Sequence, residues 1–161
     1  ATVRFLELQA RAGADALMLF DSWASAVPAH ARDHVVSDPI AQIIDQLARR
    51  GIRKPVIGFP KGIGEGLVRD CEFSGVRAVG IDHGTDIRWA AQHLPEDIVL
   101  QGNLDPMTLI DAGRKMQDSI AEILDVCSGR PHIFNLGHGI TPETPVEHVD
   151  RLLEMIGTAG S

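Results

Sequence analysis

The chain has 161 residues, of which 44% are hydrophobic, and it carries a net charge of −7. This length is typical of one domain, and the apolar content is sufficient for a buried core. The negative charge argues against nucleic acid or an anionic membrane surface as the partner, because both bind basic patches. An acidic small molecule stays open, since a few local donors can bind an anion within an acidic protein. No apolar run approaches the roughly 18 residues of a membrane span, so we expect no membrane-spanning segment.

The two cysteines, Cys71 and Cys127, belong to no CxxC or Cys/His cluster. This pattern gives no support for a structural zinc site. Both residues fall on the apolar side of a predicted helix. We therefore expect buried free thiols, as in a cytoplasmic protein.

Five short apolar runs predict β-strands, and most are apolar throughout, as in parallel sheets covered on both faces. They are residues 15–20, 55–59, 77–81, 98–101 and 132–136. Helical patterns lie between them, over residues 1–12, 39–50, 64–73, 86–94, about 116–127, and from 144 onward. The alternation predicts a parallel α/β sheet. Either a complete flavodoxin-like domain or five-eighths of a (β/α)8 TIM barrel fits this order.

Two helix starts carry clear signals. Asp38 is expected to cap the helix that begins with Pro39. Residues 144–147 (TPVE) form a capping box with proline in the first turn. The helix that follows is expected to bury an apolar stripe, namely Val146, Val149, Leu152, Leu153 and Ile156.

In both architectures, functional loops follow the carboxyl ends of the strands. Gly137-His138-Gly139 is the strongest local signal, because glycines let the backbone approach a ligand and His138 can donate a hydrogen bond or a proton. A glycine-rich turn with a solvated histidine is the alternative. Ser22 can either bind a carboxylate or cap the next segment. A Ser22–His138–Asp82 hydrolase is disfavoured, since Ser22 lacks a G-x-S-x-G elbow. Asp82 and Asp86 are expected to serve as turn and cap residues rather than as metal ligands.

The strand-end segments, taken in chain order, resemble those of the uroporphyrinogen decarboxylase family. The likeness extends from Gly13 to about Ile156, and Pro145, Glu147 and His148 continue it into the last helix. Asp82-His83-Gly84 departs from the aromatic-containing loop common in bacterial members. The segments that carry the resemblance are 20–23 (FDSW), 59–62 (FPKG), 100–106 (LQGNLDP) and 134–140 (FNLGHGI).

The resemblance implies that residues 1–161 are the last five βα units of a single (β/α)8 TIM barrel whose N-terminal part is absent. It implies a carboxy-lyase that removes the four acetate carboxyl groups of uroporphyrinogen III, giving coproporphyrinogen III in haem and porphyrin biosynthesis. It further implies a cytoplasmic homodimer that acts on a porphyrinogen and uses no cofactor and no metal.

The resemblance also assigns site residues. Ser22 matches the Ser or Thr that hydrogen-bonds a substrate carboxylate, His138 matches the histidine of the signature, and Phe20 is expected to line the pocket. The family's central aspartate, which binds the pyrrole N–H groups, lies in the N-terminal part. We therefore expect no catalytic residue in this chain, and no activity from the chain alone.

Two other functions fit the fold class. One is a cobalamin- or coenzyme-M-linked methyltransferase of the same superfamily, which uses a zinc thiolate site with an H-x-C motif. The corresponding residues 135–139 contain no cysteine, which disfavours it. The other is a non-catalytic, flavodoxin-like binding module, which the ordered set of family segments disfavours.

Overall fold

The computed structural model describes residues 1–159, which alternate between strands and helices. The strands are β1 (Leu17–Asp21), β2 (Val56–Pro60), β3 (Ala78–Gly80), β4 (Val99–Gln101) and β5 (His132–Ile133). The α-helices are α1 (Thr2–Arg11), α2 (Asp38–Arg49), α3 (Gly66–Ser74), α4 (Ile87–His93), α5 (Thr108–Asp111), α6 (Arg114–Cys127) and α7 (Val146–Ala159). All five predicted strands are present. Within the described residues, no helix has the length and apolar character needed to cross a membrane.

The strands form one sheet in the order β1-β2-β3-β4-β5. The β1–β2, β2–β3 and β4–β5 ladders are parallel, and Phe20 of β1 lies opposite Phe59 of β2. A flavodoxin-like sheet has the order 2-1-3-4-5, because its chain winds in both directions from the first strand. The observed order is sequential, as in a (β/α)8 barrel, where each βα unit is added beside the previous one. The fold is therefore a run of five βα units of an incomplete barrel, and the flavodoxin-like alternative is wrong.

Two compact units make up the described chain. Unit 1 comprises Ala1–Gly80 with His93–Val99, and unit 2 comprises Ile81–Gln92 with the residues from Leu100 onward. Each unit contains its own set of buried apolar side chains.

The core of unit 1 joins α1 and α2 to β1 and β2. Its buried members are Leu6, Ala10, Leu17, Ile40, Leu47, Val56 and Val76. Ile40 and Leu47 are seven residues apart and lie on one face of α2, as the helical spacing predicts. Each large aliphatic side chain buried in this way contributes about 1.5–3 kcal/mol, which holds the helices against the sheet.

Unit 1 also buries a carboxyl group. Asp70 on α3 is 2% exposed, and Ser37 Oγ donates a hydrogen bond to its Oδ1 at 2.6 Å. Among the described residues, Asp70 Oδ2 has no hydrogen-bond partner. Burial raises the pKa of Asp70, and the hydrogen bond from Ser37 opposes the rise only in part.

The core of unit 2 is formed where α5, α6 and α7 pack on one another. Its α6 members are buried at helical spacing, as predicted: Met116, Ile120, Ile123 and Cys127. On α7, His148 donates from Nδ1 to the Leu109 carbonyl of α5 at 2.7 Å. Cys127, and Cys71 in unit 1, are buried free thiols as expected. Burial raises the pKa of Cys127, which keeps this thiol protonated.

Two helix predictions need correction. Asp38 does not cap α2, because a π-helical turn (Asp33–Ser37) runs directly into the helix and places Asp38 inside it. On α7, Leu152 is buried as expected, but Val146 and Leu153 are 75% and 61% exposed. The helices α5 and α6 cover one side of α7, and that side does not extend to these two residues.

Candidate functional site

In unit 1, an aromatic pair marks the carboxyl ends of β1 and β2. Phe20 is 68% exposed, and its ring meets the ring of Phe59 edge-on with centroids 6.0 Å apart. The Phe59 ring in turn lies against Gly80 of β3, where an added Cβ would be 2.4 Å from the ring. Glycine at position 80 thus makes room for Phe59. The arrangement gives an apolar surface on which Phe20 is free to contact a ligand.

Ser22 directly follows β1 and is exposed. The turn after the strand is closed by its neighbour, because the Asp21 carboxylate accepts a hydrogen bond from the Trp23 N–H at 3.1 Å. The backbone N–H of Lys61 donates to the Asp21 carbonyl, which ties this strand end to the end of β2. Within residues 1–159, the Ser22 hydroxyl has no hydrogen-bond partner. The capping role considered for Ser22 therefore belongs to Asp21, and the hydroxyl is available to a ligand.

In unit 2, a tight turn after β3 carries His83. The Asp82 carboxylate accepts hydrogen bonds from the Gly84 N–H at 2.9 Å and from the Thr85 hydroxyl at 3.1 Å. Asp86 caps α4 by accepting from the Arg88 N–H at 2.7 Å. The expected turn and cap roles of Asp82 and Asp86 are confirmed, and both carboxylates are occupied by them.

Asn103, from the LQGNLDP segment, holds this turn in place. Its side chain is buried, and Nδ2 donates to the backbone carbonyls of Asp82 at 3.1 Å and Thr85 at 2.7 Å. A buried amide that satisfies two main-chain acceptors fixes a loop firmly, because losing it leaves both acceptors unpaired. The asparagine of the segment is thus a positioning residue for the loop that carries His83.

Asp105, two residues further on, lies in the turn that leads into the short helix α5. Its Oδ1 accepts from the Met107 N–H at 2.9 Å, and its carbonyl accepts from the Thr108 hydroxyl at 2.7 Å. Pro106 suits this turn before the helix, because proline has no N–H and none is required there. The second half of the LQGNLDP segment therefore starts a helix that the sequence prediction omitted.

Gly137 packs against the backbone of the same turn. A Cβ at position 137 would lie 2.3 Å from the His83 nitrogen and 2.7 Å from its Cα. The His83 N–H donates to the Gly137 carbonyl at 3.3 Å, and the Gly137 N–H donates to the Leu104 carbonyl at 2.8 Å. The first glycine of the GHG sequence is therefore required for close backbone approach rather than for a positive φ.

His138 is exposed beside His83, with ring centroids 6.1 Å apart and planes at 77°. The predicted ligand-binding histidine thus sits next to a second imidazole. Elsewhere in unit 2, His132 Nε2 donates to the Gly102 carbonyl at 2.7 Å. Burial lowers the pKa of His132, so this ring is neutral and acts as a fixed donor.

The structure places Phe20 in β1 and Ser22 directly after it, both in unit 1. His138 lies in unit 2, beyond β5 and the parallel bridge between Leu104 and Leu136. Sequence reasoning missed Phe59 as the partner of Phe20, and it treated His83 only as part of a turn. The available signal for Phe59 was the parallel register of β1 and β2. Phe20 and Phe59 each stand near the carboxyl end of a predicted strand, and such ends align in a parallel pair.

These features define a barrel-type parallel α/β protein with polar side chains at the carboxyl ends of its strands, where such proteins bind their ligands. The family model described as uroporphyrinogen decarboxylase (URO-D) matches residues 1–158. The uroporphyrinogen decarboxylase of Hyphomonas neptunium is 45% identical over 159 residues, covering 99% of this chain and 46% of the relative. That of Maricaulis maris is 44% identical over 155 residues, covering 96% of this chain and 45% of the relative.

The chain belongs to the uroporphyrinogen decarboxylase family. It spans about half the length of the curated relatives it matches. Among solved structures, a methyltransferase from Methanosarcina mazei matches with a TM-score of 0.81 at 18% identity, over 99% of this chain and 47% of that one. At this identity the likeness concerns the fold alone.

Proposed function

We propose that this chain is the C-terminal part of a uroporphyrinogen decarboxylase, a carboxy-lyase that converts uroporphyrinogen III to coproporphyrinogen III. The supporting observation is the family match over residues 1–158, together with the LQGNLDP and NLGHG segments at strand ends. The relatives carry this name, and the proposal transfers their activity to the protein of which this chain is about half. Following the family, we assign the enzyme to the cytoplasm as a homodimer.

In the proposed reaction, protonation of a pyrrole carbon makes the ring an electron sink. The bond between the acetate methylene and its carboxylate then breaks, carbon dioxide leaves, and the electron pair neutralises the ring cation. A proton added at the methylene completes the methyl group, and loss of the proton first added to the ring carbon restores the aromatic pyrrole. We assign to Ser22 and His138 the binding of substrate carboxylates, and to Phe20 an apolar wall of the pocket. The stabilising aspartate is proposed to lie outside this chain, where a fixed carboxylate lowers the energy of the cation.

The first test is complementation. The chain is expressed alone and together with the remaining half of the Hyphomonas neptunium relative, and coproporphyrinogen formation is measured. We expect no activity from the chain alone and restored activity from the pair. Activity of the chain alone contradicts the assignment of the aspartate to the other half, and an inactive but well-folded pair contradicts the proposed reaction.

The second test is substitution in the active assembly. Ser22→Ala and His138→Ala each remove a hydrogen bond to a charged substrate group, so we expect kcat/KM to fall roughly tenfold to a hundredfold. Ser128→Ala is a matched control, since among residues 1–159 its exposed hydroxyl bonds only the Asp125 carbonyl. Wild-type kcat/KM in both site variants argues against these two residues as substrate ligands.

A further inference from the structure

We propose that His83 and His138 form a two-imidazole anchor that binds one substrate carboxylate, which makes His83 a substrate-binding residue. This inference rests on the proposed function, because it takes the ligand to be a carboxylate-rich porphyrinogen. His83 lies in the turn that follows β3, next to the GHG sequence that carries His138.

The backbone of His83 is held rigidly. Asn103 ties the carbonyls on either side of it, and the Asp82 carboxylate closes the turn beneath it. The Gly137 backbone lies against it at van der Waals contact, as the 2.3 Å distance to a hypothetical Cβ demonstrates. A side chain on such a frame is pre-organised, which reduces the entropic cost of binding a ligand.

The orientation of the His83 ring leaves one donor for a ligand. Its Nδ1 faces the Gly137 carbonyl at 3.4 Å, which is a long contact, and a carbonyl can only accept. Because this contact is long, it does not hold the hydrogen on Nδ1, and the ring can carry its hydrogen on Nε2, which faces away from the backbone. In that tautomer Nε2 donates to a carboxylate. The ring is exposed, so a ligand can reach it.

The neighbouring ring supplies the second donor. With centroids 6.1 Å apart and planes at 77°, the two rings are too far apart to bond each other and close enough to reach the two oxygens of one carboxylate. The nearest acidic groups along the turn, Asp82 and Asp86, are occupied by backbone and hydroxyl donors. These two carboxylates therefore do not form ion pairs with the imidazoles of His83 and His138.

The charge of the chain makes this anchor useful. A net charge of −7 repels a polycarboxylate, and only local cationic or donor groups overcome the repulsion. A histidine pair supplies a carboxylate with two imidazole N–H donors. The pair is thus matched to an anion without placing a permanent charge in the site.

The test uses the active full-length assembly, single and double variants of the two histidines, and one control variant. His83→Phe keeps a ring beside His138 but removes both nitrogens, and His83→Gln restores a donor near the position of Nε2. His93→Phe, an exposed histidine at the end of α4, is the matched control. Steady-state KM and kcat are measured with uroporphyrinogen, and the Kd of the stable probe uroporphyrin is measured by fluorescence.

We expect His83→Phe to raise KM and Kd at least about tenfold with kcat nearly unchanged, and His83→Gln to recover most of the loss. The double variant His83→Phe/His138→Phe is expected to lose less than the product of the single effects, since both rings bind the same carboxylate. Unchanged KM and Kd in His83→Phe, an equal loss in His83→Gln, or multiplicative losses in the double variant would each overturn the inference.

The wild-type controls separate this inference from the proposed function. Uroporphyrin binding without decarboxylation rejects the reaction, while the effect of His83 on Kd can still be measured. Normal turnover by an unaffected His83→Phe variant rejects the anchor alone. A folded wild-type assembly that neither binds uroporphyrin nor turns over uroporphyrinogen overturns both proposals.

Discussion

Asp70 is a buried carboxyl group with one hydrogen bond and one unpaired oxygen. Because burial raises its pKa in the folded protein, the folded state holds the proton more tightly than the unfolded chain does. Its contribution to stability is therefore complete below the pKa of the unfolded chain, near 3.8, and is lost as the pH rises through the folded value. Toward neutral pH, the raised pKa of Asp70 therefore destabilises the folded protein relative to the unfolded chain.

Asp70→Asn is expected to remove this pH dependence. The amide oxygen still accepts from Ser37, and no charge is buried. Relative to the wild type, the gain in the free energy of unfolding of Asp70→Asn is near zero at pH 4 and grows toward pH 8. It grows by about 1.4 kcal/mol for each unit by which folding raises the pKa of Asp70. Urea unfolding of the full-length protein at several pH values measures it. Glu65→Gln, an exposed carboxylate nearby, is the control, and an equal gain there contradicts the explanation.

Substitution is expected to affect stability differently at the two glycines that flank His138. At Gly137 an added methyl group meets the His83 backbone, whereas at Gly139 nothing lies within 4 Å. We expect Gly137→Ala to lower the free energy of unfolding by about 1–3 kcal/mol and to displace the His83 turn, because backbone cannot rotate away. Gly139→Ala is expected to cost under about 1 kcal/mol. Thermal unfolding of both variants tests this, and equal losses would show that the contact is unimportant.

Among single residues, the sequence identified Phe20, Ser22 and His138 as candidate substrate-binding residues, because strand-end position and family motifs point to single residues. It did not identify how Asn103 or Gly137 positions the His83 turn. Those contacts join segments 18 to 54 residues apart in the chain, and no local pattern encodes them. The assigned binding roles of the three candidates stay predictions.

Helix α7 is joined to the rest of unit 2 by a polar contact as well as by its core residue Leu152. His148 Nδ1 donates to the Leu109 carbonyl, which belongs to the last turn of α5 and has no intrahelical donor. The resemblance had singled out His148 without giving it a role. The bond explains it as a link between two helices.

His148→Ala is expected to lower the free energy of unfolding by about 1–2 kcal/mol, because a half-buried carbonyl loses its donor. His148→Asn places an amide N–H near the position of Nδ1 and should recover part of the loss. Glu147→Ala, the exposed neighbour, serves as control. Urea unfolding provides the measurement. Indistinguishable stabilities of the alanine and asparagine variants would mean that packing, not the bond, accounts for the loss.

Among the elements, strands were predicted most accurately, since apolar runs bounded by glycine and proline end sharply. β5 is shorter than predicted, yet Leu136 still bridges to Leu104, so the chain beyond it keeps a parallel course. The π-helical turn before α2 and the short helix α5 were missed, because a few residues carry no measurable periodicity. The exposure of Val146 and Leu153 was missed because periodicity reports that a face is apolar, not what covers it.

The molecule as a whole has unpaired edges. β1 and β5 are the end strands of the sheet order, so each has one edge without a neighbouring strand among the described residues. Phe5 and Leu8 on α1 are 63% and 59% exposed. Open strand edges and apolar helix faces favour association with other chains.

We therefore expect the chain alone to self-associate at micromolar concentration and to unfold over a broad temperature range. Its complex with the other half of a relative should be monodisperse and unfold cooperatively. Leu8→Glu is expected to weaken that complex, whereas Glu72→Gln on the surface of α3 should not. Gel filtration with light scattering distinguishes these cases. A compact, cooperative monomer of the chain alone contradicts the prediction.

The amide of Asn103 donates its hydrogen bonds to main-chain carbonyls of the loop that it holds. The position of that loop is consequently independent of the identity of residue 83. Substitutions at position 83 change the side chain that the loop presents without moving the loop. New side chains can therefore arise at this position by mutation with little loss of stability. A saturation library at position 83 should accordingly contain mostly folded proteins.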